Sequence, residues 1–350
     1  MVKRLAFAVP GHLATPTGGY AYDRRMIAEL EKLDWKIDVI ELGENFPWAN
    51  KETLMAAEAR LLMVPPSRQI LVDGLALGVL PEAARRLREQ HTLVALVHHP
   101  LALETGLSAA QAEILQASEH AALRAAKHVI VTSAATAQQL TVTYDVPHDK
   151  ITVARPGTDP VTPAPGSQDG IVRILSVGAV VPRKGFDILL AALATLTDLP
   201  WRLTIVGDRN RDPATAARLE TDIARLRLGA RVSMLGAISA EHLADIYARS
   251  DIFALPSRFE GYGMAYSEAI AYGLPVIGTR AGAIPEVVPC GAGVLVEPGD
   301  IALFARALRS VVADAEVRRR LAGVARAAAM DLPRWHDSAK VFSSTLETVT

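Results

Sequence analysis

Two glutamates, Glu260 and Glu268, stand eight positions apart where a strand-like apolar run gives way to a helical pattern. A turn that contains Gly261 and Gly263 separates them, so Glu260 is predicted to lie in the loop and Glu268 on the helix. The unpaired N–H groups at a helix N-terminus, together with the helix dipole, bind phosphate or sugar hydroxyls. At about 1.5 Å per helical residue, the two carboxylates would be about 8–12 Å apart. We therefore interpret them as two acids that bind hydroxyls at opposite ends of one elongated ligand, rather than as a pair that shares a proton.

Arg183 and Lys184 are a second pair of residues that could take part in chemistry. They lie on a turn just before the predicted helix of VGAVVPRKGFDILLAAL. Two cations at this place can neutralise the charge that grows on a leaving diphosphate, and stabilisation that increases in the transition state accelerates a reaction. His98 and His99 end the apolar run LVALVHHP, where ligands of α/β sheets bind. Histidines at strand ends are often structural, and the sequence favours a functional role for one of the two.

The composition limits the kinds of partner that the chain can attract. A length of 350 residues suggests about two domains, and half of the residues are hydrophobic. The formal charge is -1, from 37 basic and 38 acidic residues, which predicts no bulk attraction to nucleic acid or to anionic membranes. The single cysteine, Cys290, excludes an internal disulfide and is expected to be a small buried apolar residue.

No apolar run approaches the roughly 18 residues of a membrane span. The first residues, MVKRLAFAVPGH, include a short apolar run that Pro10 and Gly11 end too early for a signal peptide, so a first strand is expected there. The sequence thus favours a cytoplasmic protein. It leaves peripheral contact with the inner face of a membrane open.

Short apolar runs alternate with helical patterns along the whole chain, which is typical of α/β layers around parallel sheets. A first series of predicted strands ends near residue 154, and a second begins with VRILSVGAV at 172–180. Between them PGTDPVTPAPGSQDG, rich in proline and glycine, reads as a linker. The predicted division is an N-terminal domain over 1–158, a linker over 159–170 and a C-terminal domain over 171–332.

At this point the sequence resembles the retaining glycosyltransferases of family 4, which have the GT-B fold. The resemblance is carried by Glu260-GYGMAYS-Glu268 in an FEGYG frame, by the run GLPVIGT that begins at Gly273, and by the IPE tripeptide that ends at Glu286. It implies an α/β fold of two doubly wound Rossmann-like domains facing across a cleft. It also implies that the last helix, 333–350, packs back on the N-terminal domain, the domain on the acceptor side.

The resemblance further assigns roles to individual residues. It implies a nucleoside-diphosphate sugar as donor, with Glu268 on the ribose hydroxyls and Glu260 on the transferred sugar. Lys184 matches a family lysine at the donor diphosphate, beside Arg183, and His98 matches a histidine that contacts the sugar. The remaining positions that the resemblance assigns to donor binding are Gly18, Gly19, Asp208, Ile238, Gly261, Tyr262, Gly263 and Met264.

One departure from the family bears on this assignment. Many members carry an arginine where this chain has Ala179, so an expected phosphate ligand is missing, and Arg183 is the candidate to replace it. A metal ion could do the same electrostatic work, but it usually requires an Asp-x-Asp pair, which the sequence lacks. We therefore expect neither a metal nor a cofactor.

The sequence predicts a hexosyltransferase that takes a UDP-, GDP- or ADP-sugar and an acceptor that is a glycan, a lipid or a small molecule. Two alternatives stay open: a sugar-nucleotide 2-epimerase on the same fold and a non-catalytic sugar-nucleotide-binding homologue. Incubation with donor alone distinguishes the epimerase, because an epimer would form. Binding without transfer to any acceptor would favour the non-catalytic homologue. A dehydrogenase fits poorly, because neither first βα turn has the glycine pattern of a dinucleotide site.

Overall fold

The computed structural model of the chain describes residues 3–66 and 68–349. These residues form two compact units. The first comprises the described residues up to Gly157 together with those from Pro333 onward, and the second is Thr158–Leu332.

The first unit is built on a parallel sheet of six strands within the described residues, in the order β2-β1-β3-β4-β5-β6. The central strand β4 is buried at every residue, as the apolar run LVALV predicts for a strand covered on both faces. The strands are β1 (Lys3–Val9), β2 (Trp35–Glu41), β3 (Gln69–Asp73), β4 (Leu93–Val97), β5 (His128–Val131) and β6 (Ile151–Val153).

The helices that connect these strands present apolar residues to the sheet, and a buried core of aliphatic side chains lies between them. They are α1 (Gly18–Lys32), α2 (Lys51–Leu62), α3 (Gly74–Leu77), α4 (Pro81–Leu87), α5 (Ala109–Ala125) and α6 (Ala134–Thr143). Several begin at side-chain caps, such as Ser108 at α5, whose hydroxyl accepts from the Gln111 N–H in a capping box.

The second unit also contains a parallel six-stranded sheet within the described residues, in the order β12-β11-β10-β7-β8-β9. Its last strand was not predicted, because GVLV is short and only half-buried and follows a glycine-rich turn. The strands are β7 (Val172–Val177), β8 (Trp201–Val206), β9 (Val232–Met234), β10 (Ile252–Ala254), β11 (Val276–Thr279) and β12 (Gly293–Val296).

Seven described helices accompany this second sheet, and the two at the centre of the unit, α7 and α10, bury most of their side chains. The helices are α7 (Phe186–Ala194), α8 (Pro213–Arg225), α9 (Ala240–Ala248), α10 (Met264–Ala271), α11 (Ile284–Val287), α12 (Ile301–Ala313) and α13 (Ala315–Ala328). The doubly wound α/β fold expected from the alternating pattern is therefore present in both units.

The final helix, α14 (Trp335–Thr348), belongs to the first unit. The Trp35 indole N–H donates to Ser343 Oγ at 2.9 Å, and Phe342 is fully buried. Gln69 Nε2 donates to the Leu346 carbonyl at 2.7 Å, which joins the helix to β3 as well. Residues more than 270 positions apart thus complete one core.

The segment predicted as a linker, 159–170, is packed as part of the second unit. The Ala164 N–H donates to the Tyr272 carbonyl at 2.8 Å, and the Ser167 N–H donates to Asp251 Oδ1 at 2.6 Å. The expectation for Cys290 was wrong: the residue is exposed, because it lies in the turn after α11 rather than in the core. None of the described helices combines the length and the apolar character needed to cross a bilayer.

Candidate functional site

The loop between β10 and α10 carries the first glutamate, and its backbone leaves little room for variation. Gly263, at the start of α10, has a φ of 98°, a left-handed conformation that favours glycine. Gly282 lies so close to this loop that a Cβ atom on it would be 2.1 Å from the Glu260 carbonyl oxygen. The Ala283 N–H donates to that same oxygen at 3.0 Å. Backbone contacts therefore fix the position of Glu260.

The Glu260 carboxylate lies among positive and polar groups of the same unit. Lys184 Nζ donates to Oε1 at 2.6 Å, and Arg183 Nη1 donates to Oε2 at 3.2 Å. The Ser257 hydroxyl also donates to Oε1, at 2.6 Å. Glu260 is 5% exposed, which makes this a nearly buried ionic cluster. The structure thus brings together three of the predicted catalytic residues.

This environment keeps Glu260 ionised. Burial by itself would raise the pKa of its carboxyl, but the charges of Lys184 and Arg183 outweigh burial and lower the pKa to about 2. The carboxylate in turn holds both cations in place. A carboxylate has room for about four hydrogen bonds, so Oε2 keeps capacity for a ligand hydroxyl.

Arg183 and Lys184 owe their position to a short 3₁₀ turn, Pro182–Lys184, that ends in Gly185. Gly185 has a φ of 70° and begins α7 without a side-chain cap. A Cβ atom on Gly185 would lie 2.1 Å from the Pro256 carbonyl oxygen, so glycine is required for the close approach of the two loops. Arg183 Nη1 also donates to the Phe259 carbonyl at 2.9 Å. The cations therefore lie beside the start of α7, and their partner Glu260 lies in the loop before α10.

Glu268 lies on α10, as predicted, but its surroundings are aromatic. The Tyr247 hydroxyl donates to its Oε2 at 2.9 Å, and the ring of Tyr247 stacks on that of Tyr272 with centroids 5.0 Å apart. Burial raises the pKa of Glu268 to about 7, with a further increase from the charge of Asp159. The contribution of Tyr247 was not predicted, because Tyr247 lies on α9 and only the fold brings it to α10.

Asp208 borders a pocket of about 510 Å³ near the ends of β8 and β9. Its Oδ1 accepts from the Asn210 N–H at 2.8 Å, which closes the turn after β8. The other predicted nucleoside position, Ile238, is half-buried and packs on the core of the unit, and its neighbour Ala237 lines the pocket. The pocket is lined by Asp208, Arg209, Asn210, Pro213, Ala216, Ala217, Glu220, Gly236 and Ala237.

In the first unit the predicted Gly19 and His98 are also close together. Gly18 and Gly19 form the first turn of α1, whose cap, Thr17, accepts from the Tyr20 N–H. A Cβ atom on Gly19 would lie 3.4 Å from His98 Cδ2, in van der Waals contact with the imidazole. Nε2 of the neighbouring His99 lies 3.5 Å from Glu104 Oε2.

His98 lies between two buried carboxylates that the sequence analysis did not identify. Its Nε2 is 3.2 Å from Asp23 Oδ1 and 3.3 Å from Asp73 Oδ2. Burial by itself would lower the pKa of His98, but the charge of Asp23 and hydrogen bonds to both carboxylates raise it to about 10. Asp, Asp and His are also residue types that bind metal ions, and these three lie within 4.8 Å of one another. Both carboxylates face Nε2, and the raised pKa of His98 favours a proton on this nitrogen over a lone pair for a metal, so we interpret the group as an ion cluster.

Comparisons with known proteins add to this geometry. Residues 163–328 match the model of the family described as Glycosyl transferases group 1. The chain is 31% identical over 249 residues to D-inositol 3-phosphate glycosyltransferase 1 of Catenulispora acidiphila. This alignment covers 65% of the chain and 58% of that protein. It is 31% identical over 237 residues to the D-inositol 3-phosphate glycosyltransferase of Mycolicibacterium smegmatis, with 63% and 53% covered. The chain thus spans little more than half the length of these relatives.

Solved structures agree with the fold. A sucrose-phosphate synthase from Thermosynechococcus elongatus superposes with a TM-score of 0.83 at 23% identity, with 99% of both chains covered. HepE from Anabaena in complex with UDP-glucose gives a TM-score of 0.77 at 20% identity, with 98% of this chain and 99% of that chain covered. These matches confirm the predicted GT-B fold. Lys184, Glu260 and Glu268 all lie inside the segment that matches the family model.

Proposed function

We propose that the chain is a retaining glycosyltransferase of family 4 that moves a hexosyl group from a nucleoside-diphosphate sugar to an acceptor hydroxyl. The observation that carries the proposal is the buried cluster of Lys184, Arg183 and Glu260 beside the start of α7. Relatives named as glycosyltransferases support it, and so does the complex of HepE with UDP-glucose. UDP-glucose is therefore the first donor to test.

In this proposal the second unit holds the leaving group. Lys184 and Arg183 pair with the diphosphate, and the N-terminal N–H groups of α7 and α10, which have no side-chain cap, supply further donors. When the glycosidic C–O bond breaks, negative charge grows on the diphosphate. Fixed cations and dipoles aimed at that charge lower the barrier. They do the work that a metal ion does elsewhere, so we propose metal-independent transfer.

The glutamates and the pocket then bind the rest of the donor. Oε2 of Glu260 and the backbone of Gly261–Met264 bind hydroxyls of the hexose, and Glu268 accepts from the ribose hydroxyls. The pocket beside Asp208 and Ile238 takes the nucleoside. In the first unit, Gly18, Gly19 and His98 contact substrate oxygens. The acceptor hydroxyl attacks from the face that the diphosphate leaves, so that its C–O bond forms as the bond to the diphosphate breaks and its proton passes to the departing diphosphate oxygen. This retains the anomeric configuration and requires no protein nucleophile.

The first experiment is a thermal-shift screen against UDP-, GDP- and ADP-sugars, because a ligand that binds only the folded state raises Tm. A donor that binds is then incubated with glycan, lipid and small-molecule acceptors, including inositol 3-phosphate. Proton NMR of the anomeric signal reports retention or inversion, and parallel reactions with EDTA test metal independence. Donor alone serves as a control, since formation of an epimer there identifies the 2-epimerase instead.

The variant Lys184→Ala tests the site. We expect transfer to fall by about 100-fold or more, since removal of one group that stabilises transition-state charge commonly costs that much. The matched control is Lys150→Ala, an exposed lysine of the first unit, which should keep full activity. Full activity of Lys184→Ala, with Tm unchanged, would refute the assignment of the diphosphate site.

A further inference from the structure

Three titratable side chains from three elements of the first unit meet at one point. Asp23 comes from α1, Asp73 ends β3 and His98 follows β4. Asp23 is 0% exposed and Asp73 3% exposed, whereas the His98 side chain is 19% exposed. Two buried carboxylates therefore lie behind an imidazole that solvent or a ligand can reach.

Both carboxylates are fixed in place. Asp73 caps α3, since its Oδ1 accepts from the Leu75 N–H at 2.7 Å, and its Oδ2 faces His98. Asp23 lies on the buried face of α1, and its Oδ1 lies within hydrogen-bond distance of His98 Nε2. Its Oδ2 has no hydrogen-bond partner among residues 3–66 and 68–349. A buried acceptor without a partner destabilises the fold, so packing alone does not account for a carboxylate at Asp23.

The imidazole is equally constrained. The ring of Tyr22 meets it edge-on with centroids 5.3 Å apart, and a Cβ atom on Gly19 would lie 3.4 Å from its Cδ2. The Thr132 hydroxyl donates to the His98 carbonyl at 3.2 Å. Within the described part of the chain, the titratable groups that face the ring are Tyr22 and Asp23 from α1 and Asp73 from β3.

Charge decides the protonation of this cluster. Two buried carboxylates beside a neutral imidazole would carry a charge of -2 away from water, whereas an imidazolium reduces it to -1. A proton on Nε2 can donate to Oδ1 of Asp23 and Oδ2 of Asp73, the two oxygens that face it. The proton on Nδ1 is then the one that can meet a ligand.

We propose that Asp23 and Asp73 are positioning residues that hold His98 as a fixed imidazolium, so that its Nδ1–H donates to an oxygen of the substrate. This inference rests on the proposed transferase function and deepens it. An imidazolium has no lone pair to accept a proton, so His98 stabilises substrate charge and does not act as the general base. Its contribution is the charge-assisted hydrogen bond, which is stronger than one from a neutral donor.

The cluster is tested first without any activity, by heteronuclear NMR of the imidazoles in the full chain. The His98 signals are assigned by their loss in His98→Gln. We expect the wild-type ring to stay protonated on both nitrogens from pH 6 to 9. In Asp23→Asn and Asp73→Asn its pKa should fall by more than one unit, whereas in Asp337→Asn, an exposed surface control, it should not move. A wild-type ring that titrates below pH 9 overturns the proposal.

Transfer assays test the functional half. In Asp23→Asn and Asp73→Asn we expect kcat/KM to fall about tenfold or more, with the alkaline limb of the pH profile displaced to lower pH. A merely structural role would lower activity by the same factor at every pH, and that result contradicts the proposal. Stoichiometric Mn²⁺ that selectively broadens the His98 signals would also contradict it, since the cluster would then be a metal site. If the wild type transfers no sugar, the proposed function fails, while the NMR result still decides the state of His98.

Discussion

At the scale of single residues, the Glu268 carboxyl group lies among aromatic side chains. Tyr247 donates to one of its oxygens, and burial raises its pKa to about 7. Near neutral pH the side chain is therefore divided between its acid and its carboxylate. Only the carboxylate offers both oxygens as acceptors, which is the form that two neighbouring hydroxyls of a ribose require.

Donor binding should consequently depend on pH. Between pH 6 and pH 8 we expect Kd for the donor to decrease by about tenfold, since a group with a pKa near 7 is mostly protonated at the first pH and mostly ionised at the second. Isothermal titration calorimetry with a UDP-sugar measures this. Glu268→Gln should bind more weakly and lose the dependence.

Glu241→Gln, at an exposed position of α9, is the matched control and should keep the wild-type dependence. Equal slopes in wild type and Glu268→Gln would mean that another group titrates.

Some residues of the site could be identified from the sequence and others could not. Glu260, Glu268 and Lys184 stood out by motif, and Lys184 is also the only lysine between positions 158 and 332. Asp23 had a signal that the analysis missed, because Met26, Ile27 and Leu30 follow it at helical spacing and place it on an apolar face. Tyr247 and Asp73 had no such signal, since their partners Glu268 and His98 are distant along the chain.

At the scale of elements, the loop before α10 depends on a glycine outside it. Gly282, before α11, has a φ of 55°, and its missing side chain leaves room for the Glu260 carbonyl. The loop that carries the carboxylate is thus supported by the segment that follows β11.

Gly282→Ala should displace this loop. We expect a loss of about 2–4 kcal/mol in the free energy of unfolding, from left-handed strain and overpacking together. Transfer activity should fall with it, because Glu260 moves relative to Lys184. Urea unfolding and kinetics measure the two effects.

Gly299→Ala separates the two causes. Gly299 has a φ of 85°, but a Cβ atom there would meet nothing within 4 Å. Its cost should be about 1 kcal/mol, from backbone strain alone. Equal costs in the two variants would show that the close approach to Glu260 is unimportant.

Elements with a clear apolar pattern were predicted from the sequence, whereas β12 and α3 were not. β4 and α5 follow directly from their patterns. β12 has only four half-buried residues, and α3 is one turn whose start depends on the Asp73 cap. In such elements tertiary contacts rather than periodicity decide the structure.

At the scale of the whole molecule, the first unit is made of two stretches of chain. The return of α14 was expected only from the family resemblance, because its sequence reads as an ordinary amphipathic helix. The hydrophobic pattern of α14 does not show which sheet the helix packs on, because that depends on contacts such as that of Trp35 with Ser343.

Phe342→Ala should reveal how much α14 contributes. Phe342 is 0% exposed, and truncation of a buried phenylalanine costs about 3–5 kcal/mol. Hydrogen exchange measured by mass spectrometry should locate the loss of protection in residues 3–157 and 333–349. Protection lost mainly in residues 158–332 would contradict the assignment of α14 to the first unit.

Val341→Ala is the matched control. Val341 precedes Phe342 on the same helix and is 42% exposed. Its truncation should therefore change the unfolding free energy by less than about 1 kcal/mol.

The position of α14 has a consequence for biosynthesis. A ribosome completes Thr158–Leu332 before it makes the helix that covers Trp35 and Gln69. Domains commonly fold during synthesis, the N-terminal one first. In this protein the nascent first unit must wait with an incomplete apolar surface while the second emerges. That order makes its early strands the place where a trigger factor or another chaperone would act.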